Sequence, residues 1–444
     1  MKSPRLILIT NPGSSSRKYA LYREDELLCS LHFEFEGKKV VCTLKKSDGT
    51  KKKLKETYAD LSETVGALNK ILEDEGFLGG VSKIDAILAR TAAPGDFFAH
   101  DHLVDKNCLK ELEIAKKKAP LHIPTVAGEI EQFVKDFKDT PIITISDSGF
   151  HDSRPDLMKY YSFDPELADK FDIKRWGFHG LSVGSVVNYM EKEGILPEKL
   201  IVCHLGSGSS LTAVYKGKSH DTTMGYTPLE GLTMSTRSGS MDVAAALALK
   251  RNLKIESDEE LEKYLNKKCG LLGLSGKTDD MREIIELRDE GDERGTLAHA
   301  MFVYRVQSEL GRMAASLGGV DAIVFTATIG ERSSEIRRCI SQKLGYLGFS
   351  LDDEKNESEL ENRHENIAKK DSKPIYVIRT DEFEEMIRRA KVILDKESCD
   401  SCSESCKCSA KSCKNSCKCS CEACKSGDCK KCDCDSCSCD SCKK

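Results

Sequence analysis

The sequence predicts an α/β fold of two duplicated halves, followed by a cysteine-rich tail with no core of its own. Three observations predict it. Short strand patterns alternate with helical stretches along most of the chain, which implies an α/β layer. One plan, strand, Gly/Ser turn, strand, occurs at Ile9–Tyr22 and again at Val202–Tyr215, and two copies suggest a duplication. Finally, the cysteines divide the molecule: six are scattered over the first 398 residues, and fifteen crowd into Cys399–Cys442.

The first half opens with short strands at Leu6–Thr10, Lys18–Tyr22, Leu27–Phe35, with alternating apolar positions, and Val40–Leu44, before the turn Asp48-Gly49. A helix is expected at Tyr58–Glu75, a strand at Ile84–Arg90, helices at Lys106–Lys118 and Val126–Phe137, and a strand at Pro141–Ser146. The second half repeats the theme. Strands at Leu200–His204 and Leu211–Tyr215 flank a Gly/Ser turn, and helices follow at Asp242–Lys250, Ser257–Leu265 and Leu297–Leu317. A strand at Ala322–Thr326 and a strand–helix unit, Ile375–Ile378 then Glu382–Leu394, close the body.

Composition bounds the function. With 444 residues the chain is too long for one ordinary domain, and 68 Lys+Arg against 73 Asp+Glu leave a net charge of −5. No concentrated positive field exists to hold a nucleic-acid backbone, although phosphate can still be bound locally. The longest apolar runs, such as Leu6–Ile9, are strand-sized, far short of a membrane span. Met1–Arg5 leads into a strand and Asn11-Pro12-Gly13 without a signal core, so the expected compartment is the cytoplasm.

Glycines in a turn let backbone N–H groups point at an anion, and interleaved serine hydroxyls add donors without bulk. Two such turns facing each other would grip a polyphosphate from both sides, with Asn11 and Lys18 flanking the first. Cations and carboxylates suited to phosphoryl transfer lie near turn signals: Arg90, Asp147, His151, His179, Arg237 and Glu382. Such transfer needs cations over the phosphoryl oxygens and carboxylate-held Mg²⁺, with little other chemistry from the protein.

Together these residues carry a resemblance. From about Leu6 to Leu394 the chain resembles the acetate kinase (acetokinase) family of the actin/sugar-kinase/Hsp70 superfamily. The match rests on Asn11-x-Gly13-Ser14-Ser15-Ser16-x-Lys18, Asp147-x-x-Phe150-His151, Gly177-Phe178-His179-Gly180 and His204-Leu205-Gly206-x-Gly208-x-Ser210. The run Asp221–Gly231, Met234–Gly239, Asp280-Met281-Arg282, Ile329-Gly330-Glu331 and Thr380-Asp381-Glu382 follow in the family's order.

The resemblance implies two actin-like, ribonuclease H-like domains around a cleft: residues 1–150 completed by 382–398, then 151–381. It implies a homodimer and reversible phosphoryl transfer between ATP/ADP and acetate/acetyl phosphate. By position, Arg90 and Arg237 would hold the acetate carboxylate and the moving phosphoryl, His179 would stabilise the transition state, and Asn11, Asp147 and Glu382 would place Mg²⁺ or Mn²⁺. Ala92, Leu121, Phe178 and Pro228 would line the pocket for the acetate methyl. Ser14, Ser16, Lys18, His204, Gly206 and Gly208 would follow the phosphates, with His122 near them. Asp280 and Arg282 would approach ribose and base, and Gly330 would lie in the adenosine-binding loop.

The chain departs from the family at several points. Ala89-Arg90-Thr91-Ala92-Ala93-Pro94-Gly95 keeps the arginine of the usual His-Arg-x-x-His-Gly-Gly and loses both histidines. Ala92 stands where valine is common, which widens the pocket toward propionate. Val183 and Ser207 replace a histidine and an asparagine. Thr326-Ala327-Thr328-Ile329-Gly330-Glu331-Arg332 replaces Thr-Gly-Gly-Ile-Gly-Glu-Asn, and side chains at 327 and 328 are expected to crowd the adenosine pocket. Pyrophosphate/phosphate is therefore the alternative donor pair. A metal-binding protein on a kinase-like scaffold is the rival reading.

That rival rests on the tail, 399–444, which has no Leu, Ile, Val, Met, Phe, Tyr or Trp to build a core. It resembles metallothioneins in composition and spacing: Cys399/Cys402 and Cys421/Cys424 are C-x-x-C pairs, and Cys406/Cys408 and Cys417/Cys419/Cys421 are C-x-C steps. Neighbouring thiolates at such steps can share Zn²⁺ or Cu⁺. The tail is expected to be disordered or folded by metal.

Overall fold

The computed structural model describes residues 5–13, 16–78, 83–120 and 123–403. Its contacts divide the chain into Met1–Glu385 and Met386–Lys444. The first unit contains both sheets. Strands β1 (Leu6–Pro12), β2 (Ser16–Arg23), β3 (Glu26–Glu36), β4 (Lys39–Lys46) and β5 (Lys51–Tyr58) form a meander. Helix α1 (Thr64–Asp74), β6 (Ala86–Thr91), β7 (His102–Leu103), α2 (Lys106–Lys118), α3 (Ile123–Asp136) and β8 (Ile142–Ser146) complete the first sheet and its cover. Two helices follow, α4 (Pro165–Phe171) and α5 (Gly180–Lys192).

The second sheet starts with β9 (Lys199–Leu205), β10 (Ser209–Tyr215) and β11 (Lys218–Thr222). Helices α6 (Val243–Asn252), α7 (Asp258–Lys267), α8 (Gly270–Ser275), α9 (Met281–Asp289) and α10 (Glu293–Leu317) lead to β12 (Ala322–Thr326). Then come α11 (Ala327–Arg332), α12 (Ser334–Ser341), α13 (Asp353–Glu357), β13 (His364–Asn366) and β14 (Ile375–Ile378). Helix α14 (Glu382–Ser403) carries the chain into the second unit.

The duplication is visible in the topology. The first sheet runs β5-β4-β3-β2-β1-β6-β8-β7 and the second β11-β10-β9-β12-β14-β13. In both, an antiparallel hairpin (β1/β2, β9/β10) is joined by two strands parallel to its first member (β6 and β8, β12 and β14). The first core forms around Tyr19, Phe33 and Phe133. The second packs α10 on its sheet through Ala298, Phe302, Val306, Leu310, Met313 and Leu317, a three-to-four-residue repeat along one helical face. Asp292 caps that helix by accepting from Gly295 N–H at 2.7 Å, and Gly318 ends it at φ +64°.

Two expectations need correction. Tyr58–Glu75 is not one helix: Lys51–Tyr58 is the edge strand β5, and α1 begins only at Thr64. Its Lys-rich sequence hides a strand pattern because an edge strand blunts pairing with other chains by exposing charge. Helix α5 has no helical signature, being rich in glycine and valine. Tertiary contact requires those residues, since a Cβ at Gly180 would lie 2.4 Å from the Asp147 carbonyl oxygen and one at Gly184 3.0 Å from Glu385 Oε1. Helix α14 also runs past Leu394 to Ser403, so the backbone of Cys399 and Cys402 is helical. Cys406, Cys408, Cys417, Cys419, Cys421 and Cys424 lie outside the described residues. Among the described residues, no helix is long and apolar enough to cross a membrane.

Candidate active site

Parallel pairing of β1, β6 and β8 brings their C-terminal ends to one edge, where ligands bind in open α/β sheets. Asn11, Arg90 and Asp147 therefore meet although 79 and 57 residues separate Arg90 from the other two. Arg90 Nη2 lies 3.1 Å from Asp147 Oδ2, its Nε donates to Asp147 Oδ1 at 3.4 Å, and its Nη1 donates to Asn11 Oδ1 at 3.3 Å. Glu382 Oε2 lies 3.9 Å from Arg90 Nε. Burial opposes the Arg90 charge, but Asp147 and Glu382 more than offset it and raise its pKa. Burial likewise opposes the Asp147 charge, and Arg90 with the His179 amide overcomes it, holding the carboxyl below its usual range. Glu382 goes the other way: burial raises its pKa despite Arg90.

His179 sits at φ +60°, a strained conformation for a non-glycine residue, where it precedes α5 and donates its amide to Asp147 Oδ2 at 2.9 Å. Its Nδ1 is 2.9 Å from Ser210 Oγ, and its ring stacks on His204 at 4.0 Å between centroids. His204 Nδ1 is in turn 2.8 Å from Ser182 Oγ. Gly208 closes in from the second turn. A Cβ there would lie 3.1 Å from His179 Nε2 and 3.4 Å from Arg237 Nη1, so only glycine keeps that space open. His151 lies beneath the site, its Nε2–H donating to the Phe178 carbonyl at 2.9 Å.

Arg237 is the least compensated charge. Its Nη1 reaches only the Pro228 carbonyl at 3.4 Å and Met234 Sδ at 3.7 Å, and burial, then Arg90, lowers its pKa. Among the described residues this half-buried cation has no carboxylate partner, so an arriving anion would compensate it.

These groups line a cavity of about 230 Å³ with Asn11, Arg90, Ala92, Asp147, Phe178, His179, Pro228 and Arg237 on its walls. Phe178, Met224 and Met234 form a small buried apolar cluster against Ala92. The reading of the sequence missed Thr125, Val126 and Lys267, which also line it. Lys267 ends α7 among other lysines and carries no local signal.

A second cavity of about 420 Å³ holds Asp280 and Arg282 as expected, with Ser207, Ser235, Thr328 and Arg332 among its other walls. Asp280 caps α9 and accepts from Arg282 Nε at 3.0 Å. Ala327 has φ +64°, yet its Cβ packs beside the Gly206 turn and Thr328 lines the cavity without filling it. Such a volume falls within the range of small-molecule sites.

Some predicted residues stand elsewhere. Gly330 packs against Phe325 and Cys203 and lines neither cavity. Lys18 is exposed on β2 and also lines neither. The Ser16 carbonyl accepts from Gly13 N–H at 2.9 Å, and the Gly208 carbonyl from Gly206 N–H at 3.1 Å, so both turns are closed. Ser14, Leu121 and His122 lie outside the described residues. Donor atoms of His299, Glu335 and Cys339 lie within 4.8 Å of one another. There Arg288 Nη1, 3.0 Å from His299 Nε2 and 2.9 Å from Glu335 Oε1, occupies a cation's place.

Burial pushes His151 down to about 3 and His204 to about 4, and lowers His179 as well. Unfolded imidazoles titrate near 6.5, so below that pH the unfolded chain binds more protons and stability falls. Glu129, raised by burial to about 7, opposes this between its unfolded value and 7, and the raised Glu382 acts in the same direction above its unfolded value. Four imidazoles, His299 among them, against three raised carboxylates, Glu262 among them, predict that the urea midpoint declines from pH 6.5 to 4.5. A flat or rising midpoint would refute it.

Comparison with known proteins first defines the class. The solved structure of a propionate kinase from Francisella tularensis subsp. tularensis SCHU S4 superimposes with TM-score 0.79 at 33% identity, covering 87% of this chain and 98% of that one. Acetate kinase from Porphyromonas gingivalis gives 0.77 at 30%, over 88% and 99%. The chain is a phosphotransferase enzyme. An acetate kinase of Clostridium botulinum (strain Okra / Type B1) is 39% identical over 398 residues, 88% of this chain and 100% of its own. Residues 6–389 match the acetokinase family, and the chain belongs to it.

Proposed function

We propose that this enzyme reversibly transfers the γ-phosphoryl of ATP to acetate, giving acetyl phosphate and ADP. The observation that carries this is Arg237, a half-buried cation with no carboxylate partner among the described residues, sharing a cavity with Arg90 and His179 and with the apolar residues Phe178 and Ala92. A small carboxylate with a short apolar tail matches that wall. An acetate oxygen attacks the γ-phosphorus, a new P–O bond forms, and the bond to the bridging oxygen breaks with its electron pair leaving on ADP. Arg237 and Arg90 hold the carboxylate and the phosphoryl oxygens. His179, neutral by burial, donates a hydrogen bond as charge spreads over those oxygens. The Gly206–Gly208 turn supports the phosphates, and the second cavity beside Asp280 and Arg282 supports a nucleoside.

Asn11, Asp147 and Glu382 surround Arg90 with oxygen donors, a set that suits Mg²⁺ alongside water and phosphate oxygens. When bound there, Mg²⁺ neutralises phosphate charge. Each sheet lies within one of the segments 1–150 and 151–381, which supports reading those as the two domains.

Hydroxylamine trapping of acyl phosphate tests the reading, with ATP or pyrophosphate as donor and acetate or propionate as acceptor, and with acetyl phosphate plus ADP or phosphate in reverse. Turnover with pyrophosphate or phosphate alone refutes the nucleotide assignment. Because Ala92 replaces a larger residue at the pocket wall, Ala92→Val is expected to lower the propionate-to-acetate ratio of kcat/KM about tenfold. An unchanged ratio would remove Ala92 from the acyl pocket.

A further inference from the structure

The second cavity has a direction. Its phosphate end is marked by Ser207, whose carbonyl accepts from Ser235 N–H at 3.1 Å, and by Ala327, which packs beside Gly206. Two helices begin near that end. Asp280 caps α9, the neighbouring Asp279 carbonyl accepts from Ser235 Oγ at 3.0 Å, and Ile285 on that helix lines the cavity. Helix α11 starts at Ala327 and carries Arg332 away by five residues, about 7.5 Å at the usual rise. Arg332, five residues along α11 from the residue beside the Gly206 turn, lines this cavity together with Ile285, and on the nucleotide-dependent reading the part of the cavity away from that turn is left for the base.

Arg332 is exposed there and takes no ion pair or hydrogen bond through its guanidinium among the described residues. The other guanidinium on this cavity, Arg282, is held by Asp280. A free guanidinium at the base end brings several N–H donors and no acceptor. Adenine offers it N7 but also an N6 amine, a competing donor, whereas guanine and hypoxanthine offer O6 and N7 together as a bidentate acceptor.

We propose that this cavity reads a 6-oxopurine nucleotide, with Arg332 donating to O6 and N7, so that GTP and GDP serve at least as well as ATP and ADP. The inference rests on the nucleotide-dependent reading above. It is tested on the full chain by kcat/KM for GTP and ATP in acyl phosphate formation and by calorimetric dissociation constants for GDP and ADP. Arg332→Asn and Arg332→Ala supply two independent variants. The expected result is a wild-type GTP-to-ATP ratio of one or more that falls at least fivefold in both, with the GDP-to-ADP binding preference falling in step. A wild-type ratio below one, or a smaller fall in either variant, overturns the assignment of Arg332 while ATP turnover keeps the nucleotide reading. Turnover with no nucleotide overturns both.

Discussion

Arg237→Ala is expected to lower kcat for acyl phosphate formation about a thousandfold while leaving the protein as stable as before, or more so. The two halves of that expectation have one cause. In the free enzyme Arg237 faces a carbonyl and a thioether rather than a carboxylate, and burial disfavours its charge. Truncation removes a half-buried, poorly compensated cation, which costs the folded state little, and on the proposed reading it also removes a donor to the transferring group. Hydroxamate formation and thermal melting, run side by side, check both. A melting temperature more than about 4 °C below wild type would mean that Arg237 holds the fold, and its loss of activity would then say nothing of chemistry.

Asp147→Ala is expected to fail on both counts. The Asp147 carboxylate is 1% exposed and accepts from Arg90 Nε, Arg90 Nη2 and the His179 amide. Removing it strands Arg90, whose next carboxylate, Glu382, is 3.9 Å away, and leaves the amide of a strained residue unpaired. Breaking a buried pair from one side costs about 3 kcal/mol, here at the low end because Arg90 keeps 23% of its side chain exposed. Denaturant unfolding should register that loss, and activity should be undetectable because Arg90 and His179 lose their common anchor. Full stability in Asp147→Ala would show that Glu382 alone can hold Arg90.

The contrast between these arginines explains how the site tolerates so much buried charge. Arg90 is neutralised from within by Asp147 and Glu382, whereas Arg237 has no carboxylate partner among the described residues. On the proposed function, a substrate anion entering the cavity would complete the second pairing, and binding energy would be drawn from relief of a cost already present in the free protein.

Much of the fold was legible in the sequence because it follows from local pattern. Alternating apolar residues mark β3, the three-to-four repeat marks α10, and the two Gly/Ser turns mark the repeated hairpins that reappear at matching places in the two sheets. Residues in short, distinctive motifs, among them Asn11, Arg90, Asp147, His179 and Arg237, were nameable one by one, and the structure brings them into one cavity. What local pattern could not supply was anything decided by packing between distant segments. Helix α5 looks unfavourable by composition and exists because Gly180 and Gly184 lie against Asp147 and Glu385. Strand β5 looks like solvated charge and exists because β4 offers it an edge.

The same division holds at the site. Sequence alone determined which groups the chain offers: two arginines, carboxylates at Asp147 and Glu382, a histidine after Gly-Phe, and two Gly/Ser turns. Only tertiary structure decided that Arg90 has carboxylate partners while Arg237 has none among the described residues, that Lys267 and Thr125 border the first cavity, that Gly330 faces inward, and that Thr328 borders the second. The reason is physical. Side-chain identity sets what a group can do, but its charge balance, burial and free space depend on neighbours that strand pairing and helix packing bring from far along the chain.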